Sequence, residues 1–244
     1  MDAVVTASAI ALRELTVLRH RTRAVDDVSM TVGRERWFGI IGANGSGKTS
    51  LLRGLAGRLP CTMGSCRIDD RELCDQPAVR AKSIGFMPPA EYLPGALTGR
   101  QLFGLIEPDP DIWLRAIGRI AEPLGLDRLL DMKIGDCSAG MKQRVAIGCA
   151  FASGRSLVIL DEPFNWLDPV AALDLRKALR QCVDDGLTLL TALHDMITLT
   201  ACDEGLLIGN GKVVSRLAPQ DILDGRSSPF EFEASMIALL RNAA

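Results

Sequence analysis

A glycine-rich stretch with one lysine, within residues 39–57, carries the residue types that hold phosphate groups. Residues Gly42 to Thr49 match the pattern G-x-x-x-x-G-K-[ST] without a gap. The apolar run 38–41 before it predicts the end of a buried strand, and leucines at helical spacing over 50–59 predict an amphipathic helix. Backbone amides of such a loop turn inward at a helix N-terminus, where the helix dipole favours negative charge. The sequence therefore predicts a nucleoside-triphosphate site rather than an incidental glycine-rich turn.

The predicted ligands of the triphosphate lie in this loop and at the start of the next helix. We expect Lys48 to reach the β- and γ-phosphates and the Thr49 hydroxyl to bind Mg²⁺. The predicted nucleotide-binding residues are Gly42, Asn44, Gly45, Ser46, Gly47, Lys48, Thr49 and Ser50.

Two adjacent carboxylates come after a second apolar run, in the stretch "SLVILDEP". The run places Asp161 at the carboxyl end of a buried strand, where open parallel sheets hold their ligands. We expect Asp161 to hold Mg²⁺, directly or through water, and Glu162 to act on the attacking water as a general base. Acidic residues also cap strand ends for structural reasons, but a phosphate loop in the same chain favours the catalytic interpretation.

The elements that position these residues alternate along the chain. Residues 13–33 alternate apolar and polar positions and predict two or three antiparallel strands, and a polar segment over 61–82 predicts a hairpin edge. Strands and helices then alternate to a last apolar strand, "EGLLIG", with Pro123 expected to break or start a helix. This order predicts an α/β protein with a mostly parallel sheet covered by helices on both faces.

Composition narrows the class of partner. The net charge of −2 over 244 residues argues against binding nucleic acid by phosphate neutralisation. The cysteines number seven, and because none forms C-x-x-C we interpret them as reduced thiols of a cytosolic protein without structural metal. The sequence shows neither a signal-peptide pattern nor an apolar run of ~18 residues, so any work at a membrane is expected to need a partner.

Three further motifs, in order along the chain, resemble those of ATP-binding-cassette (ABC) ATPases. The stretch "CSAGMKQR" (137–144) resembles the family's L-S-G-G-x-x-Q-R signature, and "DEPFNWLDP" resembles its Walker B motif and D-loop. The stretch "LLTALHD" resembles its H-loop, with His194 as the histidine. The resemblance covers about residues 10–215, nearly the whole chain.

The resemblance implies a P-loop ABC ATPase fold that binds ATP and Mg²⁺ and dimerises head to tail. Residues 1–244 would form one such domain, with an N-terminal antiparallel part, a small helical subdomain at about 100–150 that carries the signature, and a short C-terminal extension at about 215–244. Lys48, Glu162 and His194 would be catalytic, and Thr49 and Asp161 would hold the metal. Ser138, Ala139, Gly140 and Met141 would bind the partner's ATP, and Asp168 would belong to the D-loop.

The sequence departs from the family pattern at several of these positions. Pro89 stands where the Q-loop glutamine is expected, so a side-chain amide is lost there, and Glu91 is a candidate substitute. Ala139 replaces the first signature glycine, which is tolerated at negative φ and strained at positive φ. No aromatic residue lies near 19–20 to stack on adenine, which leaves Arg19 or His20 for that contact. Trp166 replaces a residue that is usually small.

We therefore expect the energy-supplying subunit of an ABC transporter, acting with a transmembrane permease and a second ABC subunit. The ending "MKQR" and the short helical insert resemble cassettes of ABC-2-type exporters, with an importer or lipoprotein-related cassette as an alternative. A second alternative is a catalytically weak regulatory half of a heterodimer. A third is a soluble, non-transport cassette acting on ribosomes or DNA. For the leading hypothesis we expect a cytoplasmic protein held at the inner face of the cell membrane.

Overall fold

The structure, a computed structural model, describes residues 8–242. The strands within these residues are β1 (Ser8–Arg19), β2 (Thr22–Gly33), β3 (Trp37–Ile41), β4 (Cys61–Ile68), β5 (Arg71–Glu72), β6 (Gly85–Phe86), β7 (Leu157–Asp161), β8 (Thr188–Leu193), β9 (Glu204–Gly209) and β10 (Lys212–Leu217). The α-helices within them are α1 (Lys48–Leu55), α2 (Pro77–Ser83), α3 (Gly99–Ile106), α4 (Pro110–Leu124), α5 (Ala139–Ala152), α6 (Pro169–Asp184), α7 (Met196–Leu199), α8 (Pro219–Ser227) and α9 (Pro229–Asn242).

The N-terminal strands form an antiparallel sheet in the order β2-β1-β4-β5. Strands β1 and β2 pair antiparallel and account for the antiparallel pattern that the sequence predicts over 13–33. Their inward side chains, among them Leu15 and Val28, are fully buried. They pack against α1, so this sheet covers the helix that comes after the phosphate loop.

A six-stranded sheet, in the order β10-β9-β3-β8-β7-β6, forms the centre of the fold. All its neighbours pair in parallel except β10, which pairs antiparallel with β9 at one edge. Because β3, β8 and β7 are adjacent and parallel, their carboxyl ends lie at the same edge of the sheet. The phosphate loop follows β3, His194 follows β8, and Asp161 ends β7. All three therefore lie at one edge of the sheet.

Apolar cores lie on both faces of the central sheet, as the continuous apolar runs predict. On β3, Trp37 and Ile41 face the core built with α4, α5 and α6, whereas Phe38 and Ile40 face the core built with α1 and the antiparallel sheet. The predicted α/β class with a mostly parallel sheet between helical layers is confirmed.

Helices α3, α4 and α5 form a helical region beside the sheet. The rings of Phe103 and Trp113 join α3 to α4 edge to face, with centroids 5.6 Å apart. Gly148 on α5 allows this packing, because a Cβ there would lie 2.5 Å from Cζ of Phe103. The close packing fixes α5, whose first turn carries the signature residues.

The C-terminal helices pack on β9 and β10, on the face of the sheet that also carries α4 and α6. Phe232 and Met236 of α9 are buried in the core that α4 and α6 share. Arg226 of α8 donates to the carbonyl oxygens of Thr200 (2.6 Å) and Cys202 (3.1 Å), just after α7. Across residues 8–242, none of the helices combines the length and the apolar character that crossing a membrane requires.

Three local features differ from the sequence expectation. Helix α1 spans Lys48–Leu55 rather than 50–59, because Gly57 turns away at φ +70 and lies against the carbonyl of Pro77. The end of the expected hairpin segment is helical instead, as α2. Pro123 neither starts nor ends a helix but lies in the last turn of α4, which stops at Gly125 with φ 57.

Candidate active site

The loop between β3 and α1 leaves no room for side chains at two of its glycines. A Cβ on Gly42 would lie 2.2 Å from the carbonyl oxygen of Ile208, and one on Gly47 would lie 2.5 Å from that of Ala24. Gly45 and Gly47 also adopt positive φ, at +81 and +107, which glycine adopts without steric cost. The backbone thus wraps closely around the N-terminus of α1, with Asn44 exposed at the tip of the loop.

Lys48 is the first residue of α1, and its side chain is only 4% exposed. Its ammonium donates to the carbonyl oxygens of Gly42 (2.8 Å) and Ala43 (3.2 Å), and it lies 3.5 Å from Oε1 of Glu162. A buried cation therefore lies between the phosphate loop and the carboxylate, held by groups that a phosphate oxygen can replace.

Ser46 supplies an independent indication of anion binding. Its backbone is fixed, since its amide donates to Ala43 and its carbonyl accepts from Gly211. Its hydroxyl is buried and has no hydrogen-bond partner. Buried hydroxyls are normally hydrogen-bonded, so this group fits the role of a phosphate ligand together with the amides at the helix start.

Thr49 and Asp161 bring two oxygen ligands together across the gap between α1 and β7. The Thr49 hydroxyl donates to Oδ1 of Asp161 at 3.1 Å. Burial raises the pKa of the Asp161 carboxyl above its ordinary value, and the hydrogen bond from Thr49 opposes that shift. Hydroxyl and carboxylate oxygens are the ligands that Mg²⁺ prefers, so the residues at this position fit the metal that the sequence predicts.

Glu162 is held at several points. Its backbone amide donates to Ala192 at 3.1 Å, and its carbonyl accepts from the side-chain amide of Gln143 at 3.0 Å. Its Oε2 accepts from Nδ2 of Asn165 at 2.9 Å, while Oε1 faces Lys48. Its φ of 50 is unusual for a residue with a side chain. The carboxylate is therefore fixed beside the phosphate loop.

A cavity of about 260 Å³ lies in front of these groups. It is lined by Thr49, Arg53, Phe86, Met87, Pro88, Pro89, Ala90, Glu91, Gln143, Asp161, Glu162, Asn165 and Trp166. The predicted metal ligands and the predicted base thus share one cavity with the loop around Pro89. Glu91 lines it as well, at the position suggested for a substitute of the missing glutamine.

The signature residues begin α5. Ser138 caps the helix, and its hydroxyl accepts from the amide of Met141 at 3.3 Å. The φ of Ala139 is not positive. Alanine in place of the first signature glycine therefore causes no backbone strain. Gly140 packs against the D-loop, because a Cβ there would lie 2.7 Å from the carbonyl oxygen of Trp166. None of these residues lines the cavity beside the phosphate loop.

The D-loop is joined to the signature helix by an ion pair. Arg144 of α5 lies 3.3 Å from Asp168, which caps α6 by accepting from the amides of Val170 and Ala171. The hydrogen bond from the Ala171 amide lowers the pKa of the Asp168 carboxyl. Trp166 has φ 64 and is 75% exposed. The signature helix and the D-loop therefore form one packed unit.

Of the remaining predicted residues, Ser50 is buried in the first turn of α1, and the others lie at the surface. His194 is exposed directly after β8, and Asp195 next to it caps α7 by accepting from the amide of Thr198 at 2.7 Å. Arg19 at the end of β1 and His20 in the turn that follows are both exposed, and His20 has φ 57.

Sequence reasoning missed Gln143 and Asn165 as site residues. Gln143 is buried on α5 and reaches Glu162 from another element, a contact that the sequence does not signal. Asn165 lies three residues after Glu162, with a proline between them, which is typical of a turn. That pattern was a usable signal for the contact.

Comparison with known proteins places this geometry in a family. The family model described as "ABC transporter" matches residues 25–165. The chain is 31% identical over 219 residues to the energy-coupling factor transporter ATP-binding protein EcfA of Onion yellows phytoplasma (strain OY-M), covering 87% of this chain and 80% of the relative. It is 28% identical over 209 residues to the lipopolysaccharide export system ATP-binding protein LptB of Escherichia coli (strain K12), covering 82% and 87%.

Solved structures agree. A structure of an ATP-binding subunit of an ABC transporter superposes with a TM-score of 0.81 at 25% identity, covering 94% of this chain and all of that one. A dimeric ATP-binding cassette in a post-hydrolysis state, bound to ADP and Pi, superposes with a TM-score of 0.73 at 22% identity, over 86% and 98%. At that identity the second likeness concerns the fold alone.

Proposed function

This chain belongs to the family of ABC transporter ATP-binding subunits, and we propose that it powers export through a separate membrane permease, as one of two paired cassettes. Membership makes it an ATP-binding subunit and an ATPase. The observation that carries the proposal is that Thr49, Asp161 and Glu162 line one cavity at the carboxyl edge of the sheet, with the buried Lys48 ammonium 3.5 Å from Oε1 of Glu162.

The phosphate loop binds and orients the triphosphate of ATP. Lys48 exchanges the carbonyl oxygens of Gly42 and Ala43 for phosphate oxygens, and the Ser46 hydroxyl gains the partner that it lacks within the chain. Thr49 and Asp161 would hold Mg²⁺, which would neutralise charge that develops on the phosphates. Lys48 is the group that changes its partners when ATP binds, whereas the glycine backbone of the loop is already held closely against Ile208 and Ala24.

Glu162 takes the proton of the attacking water. Its carboxylate faces the phosphate loop, since Oε1 lies 3.5 Å from the Lys48 ammonium. His194, exposed after β8, contacts the γ-phosphate as well. This role is supported by the sheet order, because β8 lies between β3, which leads into the phosphate loop, and β7, which leads to Glu162.

A second cassette completes the site. Ser138 and Gly140 lie at the start of α5, outside the cavity that contains Thr49 and Glu162. They therefore serve the ATP of a paired subunit, whose own signature serves this chain's ATP. Exposed Trp166 and the D-loop then lie at the junction between the two subunits.

A groove beside the catalytic cavity suits a permease segment. Its volume is about 680 Å³, and its apolar lining includes Tyr92, Leu93, Leu102 and Ile106. Arg58, Lys82 and Arg155 add positive charge to the rim. We infer that a cytoplasmic helix of the permease docks here, which holds the protein at the inner face of the cell membrane.

The proposed direction is export. It is supported by the "CSAGMKQR" signature and the short helical insert, and one relative takes part in lipopolysaccharide export. A catalytically weak half of a heterodimer is the second candidate, favoured by Pro89 at the Q-loop position. The retained Lys48, Glu162 and His194 favour the active cassette.

Substitution Glu162→Gln tests the proposal. We expect ATP binding to persist, hydrolysis to fall by about 10²–10⁴-fold, the contribution of a positioned base, and Mg-ATP to trap a dimer in gel filtration. Glu91→Gln is measured beside it as the test of the alternative base, because it neutralises another carboxylate that lines the same cavity. If Glu162→Gln hydrolyses ATP normally and Glu91→Gln does not, Glu91 rather than Glu162 is the general base.

A further inference from the structure

The Glu162 carboxylate faces two side-chain donors, Lys48 and Asn165. Of these two, Lys48 also bonds the phosphate loop. Oε1 faces the Lys48 ammonium at 3.5 Å, and Oε2 accepts from Nδ2 of Asn165 at 2.9 Å. Lys48 also bonds two carbonyl oxygens of the phosphate loop. When a triphosphate binds, that ammonium turns to phosphate oxygens and its hold on Glu162 weakens. The amide of Asn165 then remains as the side-chain donor that holds the carboxylate.

Asn165 is itself held in a short, stiff turn. Its backbone amide donates to the carbonyl of Glu162 at 3.3 Å, and Pro163 between them restricts the backbone. Phe164 in the same turn lies under the Arg176 guanidinium, 5.8 Å from ring centroid to Cζ. The carbonyl of Glu162 is anchored from α5 by Gln143. The Asn165 side chain is therefore presented to Oε2 from a fixed backbone.

We propose that Asn165 is a positioning residue for the hydrolysis step. By donating to Oε2, it fixes the rotation of the Glu162 carboxyl group and leaves Oε1 facing the phosphate loop to accept the proton of water. This inference rests on the proposed role of Glu162 as the general base. It gives the D-loop sequence a chemical role in this chain in addition to any contact with a second subunit.

The competing explanation is that Asn165 only stabilises the turn. The two explanations differ in the atom that matters. A turn role depends on the backbone and on local side-chain acceptors, which Asp provides as well as Asn. A positioning role depends on an N–H donor, which Asp lacks, and a second carboxylate beside Glu162 would repel it.

The test compares Asn165→Ala, Asn165→Asp and Asn165→Gln by ATP turnover and nucleotide Kd. We expect Asn165→Ala to lower kcat by about 10-fold, the order of one lost hydrogen bond to a charged group, with Kd unchanged. Asn165→Asp should lower kcat further although its volume is the same, and Asn165→Gln should recover part of the loss. Equal kcat for Asn165→Asp and wild type would overturn the proposal. The melting temperature of each variant reports whether it is folded, and Asn165→Leu, which has a similar shape and no hydrogen-bond donor, replaces Asn165→Ala if the latter is not.

A double-mutant cycle with Glu162→Gln separates this inference from the proposed function. If Asn165 acts through Glu162, Asn165→Ala has no further effect on turnover in the Glu162→Gln protein. An additive loss would show that Asn165 acts elsewhere and would overturn the inference alone. Normal turnover by Glu162→Gln would instead overturn the assignment of the base, and the positioning role with it.

Discussion

Lys48 is a buried cation that both the phosphate loop and Glu162 depend on. Its ammonium is buried between two loop carbonyls and the Glu162 carboxylate. In Lys48→Ala, the phosphates lose their nearest cation and Glu162 loses its opposite charge. We expect ATP to bind at least ~10-fold more weakly, the order of one lost charge-assisted bond, and turnover to fall below detection.

Equilibrium nucleotide binding and steady-state hydrolysis measure both effects of Lys48→Ala. Lys177→Ala is the control, since this exposed lysine lies on α6, away from the phosphate loop. Affinity and turnover equal to the control would refute the assignment of Lys48 to the phosphates.

The positions of site residues were predictable from the sequence where a short motif determines both the backbone conformation and the functional side chain. The glycines before Lys48 and the apolar run before Asp161 each define a strand and the residues at its carboxyl end, so both residues lie where expected. Gln143 was not predictable, because its partner Glu162 belongs to another element and no local pattern links α5 to β7. The departure at Ala139 carries no strain, since this backbone position does not need positive φ.

At the scale of elements, the contact between the signature helix α5 and the D-loop requires a glycine at position 140, where a side chain would not fit. A Cβ on Gly140 would lie 2.7 Å from the carbonyl oxygen of Trp166, closer than real side-chain contacts allow. In Gly140→Ala, the D-loop must move away, and the contacts from α5 to Glu162 and Asp168 move with it. We expect ATP turnover to fall several-fold and the melting temperature to fall as well.

Gly118→Ala is the matched control for Gly140→Ala. Gly118 lies within α4, and a Cβ there would meet no neighbouring atom within 4 Å. Alanine in a helix is favoured over glycine by about 0.5–1 kcal/mol, so this variant should be slightly more stable and equally active. If Gly140→Ala matches Gly118→Ala in turnover and melting temperature, the close contact between α5 and the D-loop is not needed for either.

Elements were predicted best where they are wholly apolar. Strand β7 ends at Asp161 as expected, because its apolar run is continuous and buried. The end of α1 was wrong because Gly57 packs against Pro77, a contact between distant parts of the chain. Helix α2 was missed because seven residues give too little periodicity to separate a helix from a turn.

At the scale of the whole molecule, Pro89 lies between the two surfaces that a transporter ATPase must connect. It lines both the catalytic cavity and the proposed permease groove, together with Arg53, Phe86 and Pro88. Its φ of −61 and ψ of 129 are ordinary for proline, and its carbonyl accepts from the amide of Tyr92 at 3.1 Å. The loop is thus well formed without the glutamine that the family pattern expects.

Pro89→Gln distinguishes an adapted loop from a degenerate one. Proline reduces the freedom of the unfolded chain and fits this backbone, so glutamine should loosen the loop at a cost of about 0.4–1 kcal/mol. Meanwhile the amides of Gln143 and Asn165 and the carboxylate of Glu91 already line the cavity. We therefore expect Pro89→Gln to leave ATP turnover unchanged or lower it, and to weaken stimulation by the permease.

Steady-state ATPase rates of the wild-type and Pro89→Gln proteins, alone and with the membrane partner, test this expectation. A several-fold gain in the variant would show that the wild-type site lacks an amide it needs, and would favour the catalytically weak half.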